Sequence, residues 1–428
     1  MTLKASLYFA KSLIFPRTQK NTVARKSLYG SILCIALSVV PLIAVLSITT
    51  GMINGMTERL VGLSSGHLEV RVANGIEETK TEEKFSAYAK GFESVSGISR
   101  AFPEVTLFAL GVGKNMRTGA FLRGVPENIF EENQSFKTLF DVIEGDTGCL
   151  KEASSVPYAV IGDKMAETLS LKTGDIFRII TTRKAGETVL PKVTSFRVGA
   201  IVSSGYQEMD ELWIFVPLKA FFRSFTMANA SFNILLESQD AFSPSLVALQ
   251  HKVKKHCGRF ANVYRWDQVN AARFENFSST KVMLVFIMMM IIFVASINIS
   301  SAIVMLVMER RKEIAILKST GATPFGITLA FILTGLYCTA AGLLIGVPVG
   351  ILISVKANEL IHFIEWFVNL FKEVRLMDPA YYLQTIPLAI PVKQIIMVIG
   401  GTLVLSVFVS LIPSVRAGKE KPSEGLKL

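Results

Sequence analysis

Four histidines, four cysteines and one glycine-rich stretch are the places in this sequence where chemistry would be sought first. His251 and His256 stand five residues apart, which does not set two imidazoles on one helix face as a metal pair requires. His362 lies among aromatic residues in LIHFIEWFVNLF, where a polar tip reaching water accounts for it. Cys34, Cys149, Cys257 and Cys338 form no Cys-x-x-Cys or Cys/His spacing, and whether Cys149 and Cys257 pair is left open. GLSSGH, from Gly62 to His67, lacks the lysine of a phosphate-binding loop. No nucleophile elbow, zinc helix or paired-carboxylate cleft stands out. The expectation is a chain with no catalytic, cofactor or metal site of its own.

Work of another kind is suggested by MERRKEIAILKSTGATPFGI, Met308 to Ile327, six of whose residues are charged although apolar segments flank it on both sides. Glu309 to Ser319 has good helix propensity, Gly321 is placed to end that helix, and Thr323-Pro324 suits the cap and first turn of the next. The expected short helix is charged on one side, with Ile314 and Leu317 on another. Such a helix can dock in a groove on a cytoplasmic partner and pass that partner's movement to the segments beside it. Its basic residues would equally serve as a plain topology anchor, and physics alone does not separate the two.

The elements that must position this helix follow from composition. Half of the 428 residues are apolar and 18% are charged, with a mean hydropathy of +0.45, which indicates a membrane protein. Four segments are long enough to cross a bilayer: 28–50, 282–307, 327–355 and 394–412. The first is longer than a signal-peptide core and is followed by no small-x-small cleavage pattern, so it reads as a retained helix. Ten of the eleven net positive charges fall in residues 1–27, 309–326 and 413–428. That distribution places both termini and the charged helix in the cytoplasm and the large domain outside. It also leaves no basic stripe on the soluble domain, so nucleic acid is not an expected partner.

Nine regions result: a surface helix or basic leader at 1–27, first span and stalk at 28–60, an external α+β domain at 61–271, stalk and second span at 272–308, the charged helix at 309–326, third span at 327–355, an external loop at 356–393, fourth span at 394–412 and a tail at 413–428. Within the domain, HLEVRV, GAFLRGV, YAVIG, IFRIITT, SFRVGAIV, LWIFVPL, FNILLE and NVYRW carry strand signals, and two subdomains are expected. Gly342, Gly346 and Gly350 repeat every four residues in the third span, which permits close helix packing. No ionisable residue lies at mid-depth in a span, which argues against ion-coupled transport.

ERRKEIAILKSTGAT resembles the signature of the FtsX/MacB-type permease superfamily of ABC transporters, and VIGDKMAETLSLKTGDIFRI resembles that superfamily's extracytoplasmic core domain. More narrowly, VLSITTGMINGM, FRVGAIVSSGYQEMDELWIFVPL and YYLQTIPLAI resemble the lipoprotein-releasing LolC/LolE permeases. The resemblance covers essentially the whole chain. It implies a fold of four transmembrane α-helices with a large extracytoplasmic α+β domain, MacB-like, inserted between helices 1 and 2. It implies cytoplasmic ABC ATPase subunits as partners, with ATP and Mg bound on them, and a second permease, either another copy or a paralogue. It implies residence in the bacterial inner membrane among its lipids, with the domain in the periplasm.

On this resemblance Glu309, Arg310, Arg311, Lys312, Glu313, Ile314, Leu317, Lys318 and Gly321 form the ATPase-coupling helix. Leu42, Val45, Leu46, Met52 and Met56 line the path for lipoprotein acyl chains, although ordinary packing also explains the methionines. The loop TTRKAGETVLPKV, with Arg183, Lys184, Pro191 and Lys192, is the candidate contact for a periplasmic lipoprotein carrier, but it is short and basic, which puts that role in doubt. A MacB-like efflux or mechanotransmission permease, an FtsX-like regulator of cell-wall hydrolases and a non-transporting receptor or scaffold are the alternatives.

Overall fold

The computed structural model describes residues 8, 10, 23–114, 116–152, 154–185, 188–370 and 387–419. Most of the leader expected to lie on the membrane, most of YYLQTIPLAI and residues 420–428 fall outside them. The chain divides into two compact units. One holds residues 1–51, 277–372 and 386–428; the other holds 52–276 with 373–385.

Helix α1 (Val23–Arg59) is apolar on every side through its first spanning length and contains Pro41. A helix without a polar face is the form that hydrocarbon selects, because its backbone groups are satisfied internally. It ends in a π-helical turn, Leu60–Ser65, after which Gly66 takes φ +61° and the chain turns into the sheet. Strands β1 (Leu68–Val72), β2 (Ile98–Val112), β3 (Arg117–Val125), β4 (Asp141–Gly145), β5 (Tyr158–Gly162), β6 (Ile176–Ala185), β7 (Thr188–Ser203), β8 (Trp213–Pro217), β9 (Ser231–Ser238) and β10 (Ala261–Arg265) form one mixed sheet of ten strands.

The strand pairings close on themselves. β2 pairs with β3, β3 with β8, β8 with β5, β5 with β7, β7 with β6, and β6 returns to β2, so six strands make a ring. From the first half of β2 the sheet continues through β9 and β1 to β10. The two expected subdomains are thus corrected to two halves of one sheet, joined by a strand that belongs to both. Residues 98–106 of β2 pair with β9, and residues 110–112 pair with β6. Helices α2 (Glu82–Gly91), α3 (Gln207–Leu212) and α4 (Leu246–Cys257) flank the sheet. Phe85 and Phe92 at α2, Phe232 on β9 and Val253 on α4 are fully buried in its core. Cys149 and Cys257 are separate buried free thiols, so they do not pair.

The membrane unit contains the spanning length of α1 and the rest of the long helices. α5 (Ala271–Glu309) carries the second stalk and span as one 39-residue helix, followed by α6 (Arg311–Ser319), α7 (Pro324–Val355), α8 (Ala357–Asn369) and α9 (Val392–Lys419). Ile35, Val39 and Ile43 of α1, Ile299 and Ile303 of α5, and Phe331 and Leu343 of α7 share one core. In a bilayer such contact rests on close fit, since lipid tails are as apolar as leucine. The fit comes from Gly342, Gly346 and Gly350: a Cβ there would lie 2.9 Å from Ile35, 3.0 Å from the Ala36 carbonyl and 2.9 Å from Ile43. On α9, Thr402, Ser406, Ser410 and Ser414 repeat every four residues and are buried; Ser406 lies 2.5 Å from the Thr339 hydroxyl of α7. α8 buries Ala357 in its first turn and leaves Phe363, Trp366 and Phe367 exposed.

Candidate functional site

The charged helix α6 is fixed at both ends. Gly321 adopts φ +97° and donates to the Lys318 carbonyl at 3.0 Å, while Ala322 donates to the Leu317 carbonyl at 2.9 Å. A side chain at position 321 would meet the steric penalty of the left-handed region. Thr323 then caps α7, its hydroxyl accepting from the Gly326 amide at 3.3 Å, with Pro324 in the first turn. The Lys318 ammonium donates to the Gly418 carbonyl on α9 at 2.6 Å, and Arg310 forms an ion pair with Glu313 across one turn.

The orientation of α6 divides its residues between the spans and the outside. Ile314 is 1% exposed and belongs to the core shared by α1, α5, α7 and α9, and Leu317 is half-buried. Ile314 thus attaches the helix to the spans, and Leu317 keeps part of its side chain exposed. The outward surface includes Lys312, Glu313, Ile316 and Ser319, flanked by Met308 at the end of α5 and Phe325 at the start of α7, which is 76% exposed. Sequence reasoning missed Ile316 and Phe325; the signal available was an apolar side chain on each side of the turn that no helix period required.

The proposed acyl-chain residues separate in the same way. Leu42 and Leu46 are buried against Ile292 of α5, with Met288, Val398 and Leu405 packed around them. Met56 is also buried, whereas Val45 and Met52 are half-exposed. Leu42, Leu46 and Met56 are therefore packed within this chain, and Val45 and Met52 are the two of the five with part of their surface open. An apolar cavity of about 300 Å³ lies between α7 and α9, lined by residues that include Leu343, Leu344, Pro348 and Leu403.

The candidate carrier-binding loop is more regular than a loop. Its residues form the antiparallel arm β6–β7, ten residue pairs long from Ile176–Arg197 to Ala185–Thr188. Arg183 pairs with Leu190 and Thr182 with Pro191. The Arg183, Pro191 and Leu190 side chains are exposed, Lys192 is half-buried, and the tip at 186–187 lies outside the described residues. Among the described residues no group of three His, Cys, Asp or Glu is placed to hold a metal ion.

A polar cluster in the sheet domain was not foreseen. Arg59, in the last turn of α1, donates to the Ser204 carbonyl at 2.5 Å. Arg123 of β3 is buried, ion-paired with Glu104 of β2, donates to the Leu63 carbonyl at 2.7 Å, and lies over the rings of Trp213 and Phe215 at 4.3 and 5.1 Å. Burial pushes the Glu104 carboxyl upward, opposed by its arginine. Arg273, in the first turn of α5, pairs with Glu208 of α3 at 2.5 Å, and Tyr206 donates to the same carboxylate at 2.5 Å. Asp210 accepts from the Ser203 hydroxyl at 2.9 Å and the Ser204 amide at 2.9 and 3.0 Å; burial nonetheless pushes it up to about 7. The passage GYQEMDE, singled out in the sequence for its resemblance, thus forms a junction with the ends of α1 and α5. The available signal was charge inside strand-forming runs, Glu104 in FPEVTLF and Arg123 in GAFLRGV.

Two family models agree with this architecture. The MacB-like periplasmic core domain matches residues 30–250, and the FtsX-like permease C-terminal family matches residues 285–422. The chain is 27% identical over 407 residues to the lipoprotein-releasing system transmembrane protein LolC of Neisseria meningitidis serogroup B, covering 93% of both chains. It is 25% identical over 423 residues to the LolE protein of Haemophilus influenzae, covering 95% of this chain and 96% of that one. Among solved structures, the periplasmic region of MacB from Actinobacillus actinomycetemcomitans aligns with a TM-score of 0.32 at 14% identity, covering 50% of this chain and 94% of that one.

Proposed function

The chain belongs to the family of the MacB-like periplasmic core domain, joined to an FtsX-like permease C-terminal region, and from that premise we propose that it is the permease subunit of an ABC transporter that extracts lipoproteins from the outer leaflet of the bacterial inner membrane. In this reading, ATP is hydrolysed with Mg on separate cytoplasmic ATPase subunits, and a second permease, another copy or a paralogue, completes the membrane part. The termini and α6 lie in the cytoplasm, the sheet domain lies in the periplasm, and a periplasmic carrier receives the lipoprotein at the β6–β7 arm through Arg183, Lys184, Pro191 and Lys192.

The observation that carries the reading is the attachment of α6. Ile314 sits in the core of the spans and Lys318 is bonded to the end of α9, so a push on Lys312, Glu313 and Ile316 reaches four helices without passing through a flexible joint. Moving a lipid anchor out of a bilayer costs roughly 0.8 kcal/mol per methylene, tens of kcal/mol for several chains, unless an apolar site receives it. An ATP-driven closure that hands the chains directly to an acceptor meets that requirement.

The test is reconstitution with the cognate ATPase in liposomes holding a triacylated lipoprotein, with carrier outside. ATP-dependent appearance of soluble lipoprotein, lost in Glu313→Lys, is the expected result. An active ATPase complex that releases none would favour a MacB-like or FtsX-like mechanotransmitter instead.

A further inference from the structure

Helix α8 follows α7 almost without interruption. The Lys356 amide donates to the Leu352 carbonyl at 3.1 Å, the Lys356 carbonyl accepts from the Leu360 amide at 2.9 Å, and Ala357 is buried. Beyond that joint the two sides of α8 differ. At about 100° per residue, Asn358, His362 and Asn369 fall on one side, while Leu360, Phe363, Ile364 and Phe367 fall on the opposite one. Trp366 stands at the border between them. Leu360, Phe363, Ile364, Trp366, Phe367 and Leu370 are each at least 40% exposed. So many large apolar side chains in a single short helix make a patch of the kind that marks a contact surface.

We propose that α8 binds the bilayer surface at the end of α7 opposite α6, lying in the headgroup region with its aromatic side toward the acyl chains. This placement requires only that α7 crosses a bilayer, not that lipoproteins are moved. Length is the first reason for lipid as the occupant: 13 helical residues extend about 20 Å, short of the roughly 30 Å of hydrocarbon, so α8 can lie on a bilayer but not cross it. Continuity is the second. The exposed apolar surface of α7 runs to its last residues, Leu352 and Val355, and resumes at Leu360 beyond the Lys356–Glu359 ion pair. Composition is the third. Residues 358–370 contain no glycine, alanine, serine or threonine, whereas α7 meets α1 at Gly342, Gly346 and Gly350 and meets α9 at Thr339 and Ser406. The patch is therefore unlike the faces through which the helices of this chain meet one another. A tryptophan at the border of the apolar side suits the membrane–water interface, where its ring is buried and its N–H reaches the headgroups. Residues 357–370 carry two glutamates and neither lysine nor arginine, so attachment rests on apolar burial and needs no anionic lipid. Held in this way, α8 fixes the depth of the end of α7 remote from α6.

The experiment is tryptophan quenching in the full chain, reconstituted into phosphatidylcholine vesicles whose acyl chains carry bromine either near the headgroup or near the methyl end. The chain has three tryptophans, Trp213, Trp266 and Trp366, so the emission lost in Trp366→Phe isolates the one on α8. The expected result is that Trp366 loses most of its emission to bromine near the headgroup and less to deep bromine, equally with and without added anionic lipid. As a second measurement, Asn369→Trp in the Trp366→Phe chain puts the probe on the polar side, where acrylamide in the water, and not brominated lipid, should quench it. A Trp366 open to acrylamide but not to brominated lipid would leave α8 in water, and one closed to both would mean that a second copy or another segment of this chain covers it. Either outcome overturns the proposal, as do stronger quenching by deep bromine, quenching that needs anionic lipid, or equal lipid quenching of probes at 366 and 369. Because no transport is read, none of these outcomes bears on lipoprotein release.

Discussion

In the sheet domain a complete ion pair, Arg123 with Glu104, is buried inside a cage of aromatic rings, whereas among the described residues of the membrane unit the buried polar side chains are serine and threonine hydroxyls. Both units must satisfy polar groups away from water, and the difference follows from what surrounds them. The domain has strands that converge from distant parts of the chain, so a guanidinium can find a carboxylate, a carbonyl and three ring faces at once. The spans have only neighbouring helices in hydrocarbon, where a charge is expensive and a serine can bond back to its own helix. Ser296, Thr334 and Ser354 do so, each donating to the carbonyl four residues earlier. The domain is therefore specified by a few large interactions and the membrane unit by many small ones.

That contrast is broken most sharply at Arg123. Arg123→Ala leaves Glu104 buried without its partner and is expected to cost about 3–5 kcal/mol, seen as a lower melting temperature and faster proteolysis of the domain in the purified full chain. The double replacement Glu104→Leu with Arg123→Met should recover most of that loss; failure to recover would mean that the Leu63 carbonyl, not the carboxylate, is the essential partner.

A second effect comes from Asp210. In the unfolded chain it ionises near 3.8 and in the folded chain near 7. Between those values folding takes up a proton, so stability falls as pH rises through that window, by at most about 1.4 kcal/mol per unit, and levels off above it. Asp210→Asn should flatten the profile between pH 4 and 7; an unchanged slope would assign the pH dependence to other groups.

In the membrane unit, Gly346→Leu pushes a side chain into the Ala36 backbone of α1 and is expected to cost about 1–3 kcal/mol, measured as reduced thermal stability in detergent. Ser406→Ala removes the Thr339 contact and should cost only about 0.6 kcal/mol. A Ser406 loss as large as that of Arg123 would erase the distinction between the two units.

The parts that were legible in the sequence are those set by local pattern. The spans, the glycine repeat, the Gly321 stop, the Thr323-Pro324 start and eight strand regions all follow from spacing and propensity. β4, DVIEG, is exposed at every position, so it has no alternation to read. β2 was missed because Pro103 and Glu104 interrupt its apolar run, although both sit in the ladder opposite β9. The cluster at Arg59, Arg123, Glu208 and Arg273 was not legible because its members come from distant segments, and a lone charge in a strand does not announce its partner. Ile314 shows a subtler limit: helical periodicity identifies the apolar side of α6, but not whether its own spans or another subunit covers it.

The strand shared by the two halves of the sheet also has a mechanical meaning. Fifteen residues of β2 span about 50 Å when extended, and hydrogen bonds to β9, β3 and β6 brace them along most of that length. A torque applied to the ring would therefore reach the β9–β1–β10 side as rotation of one stiff beam, with no hinge in between to absorb it.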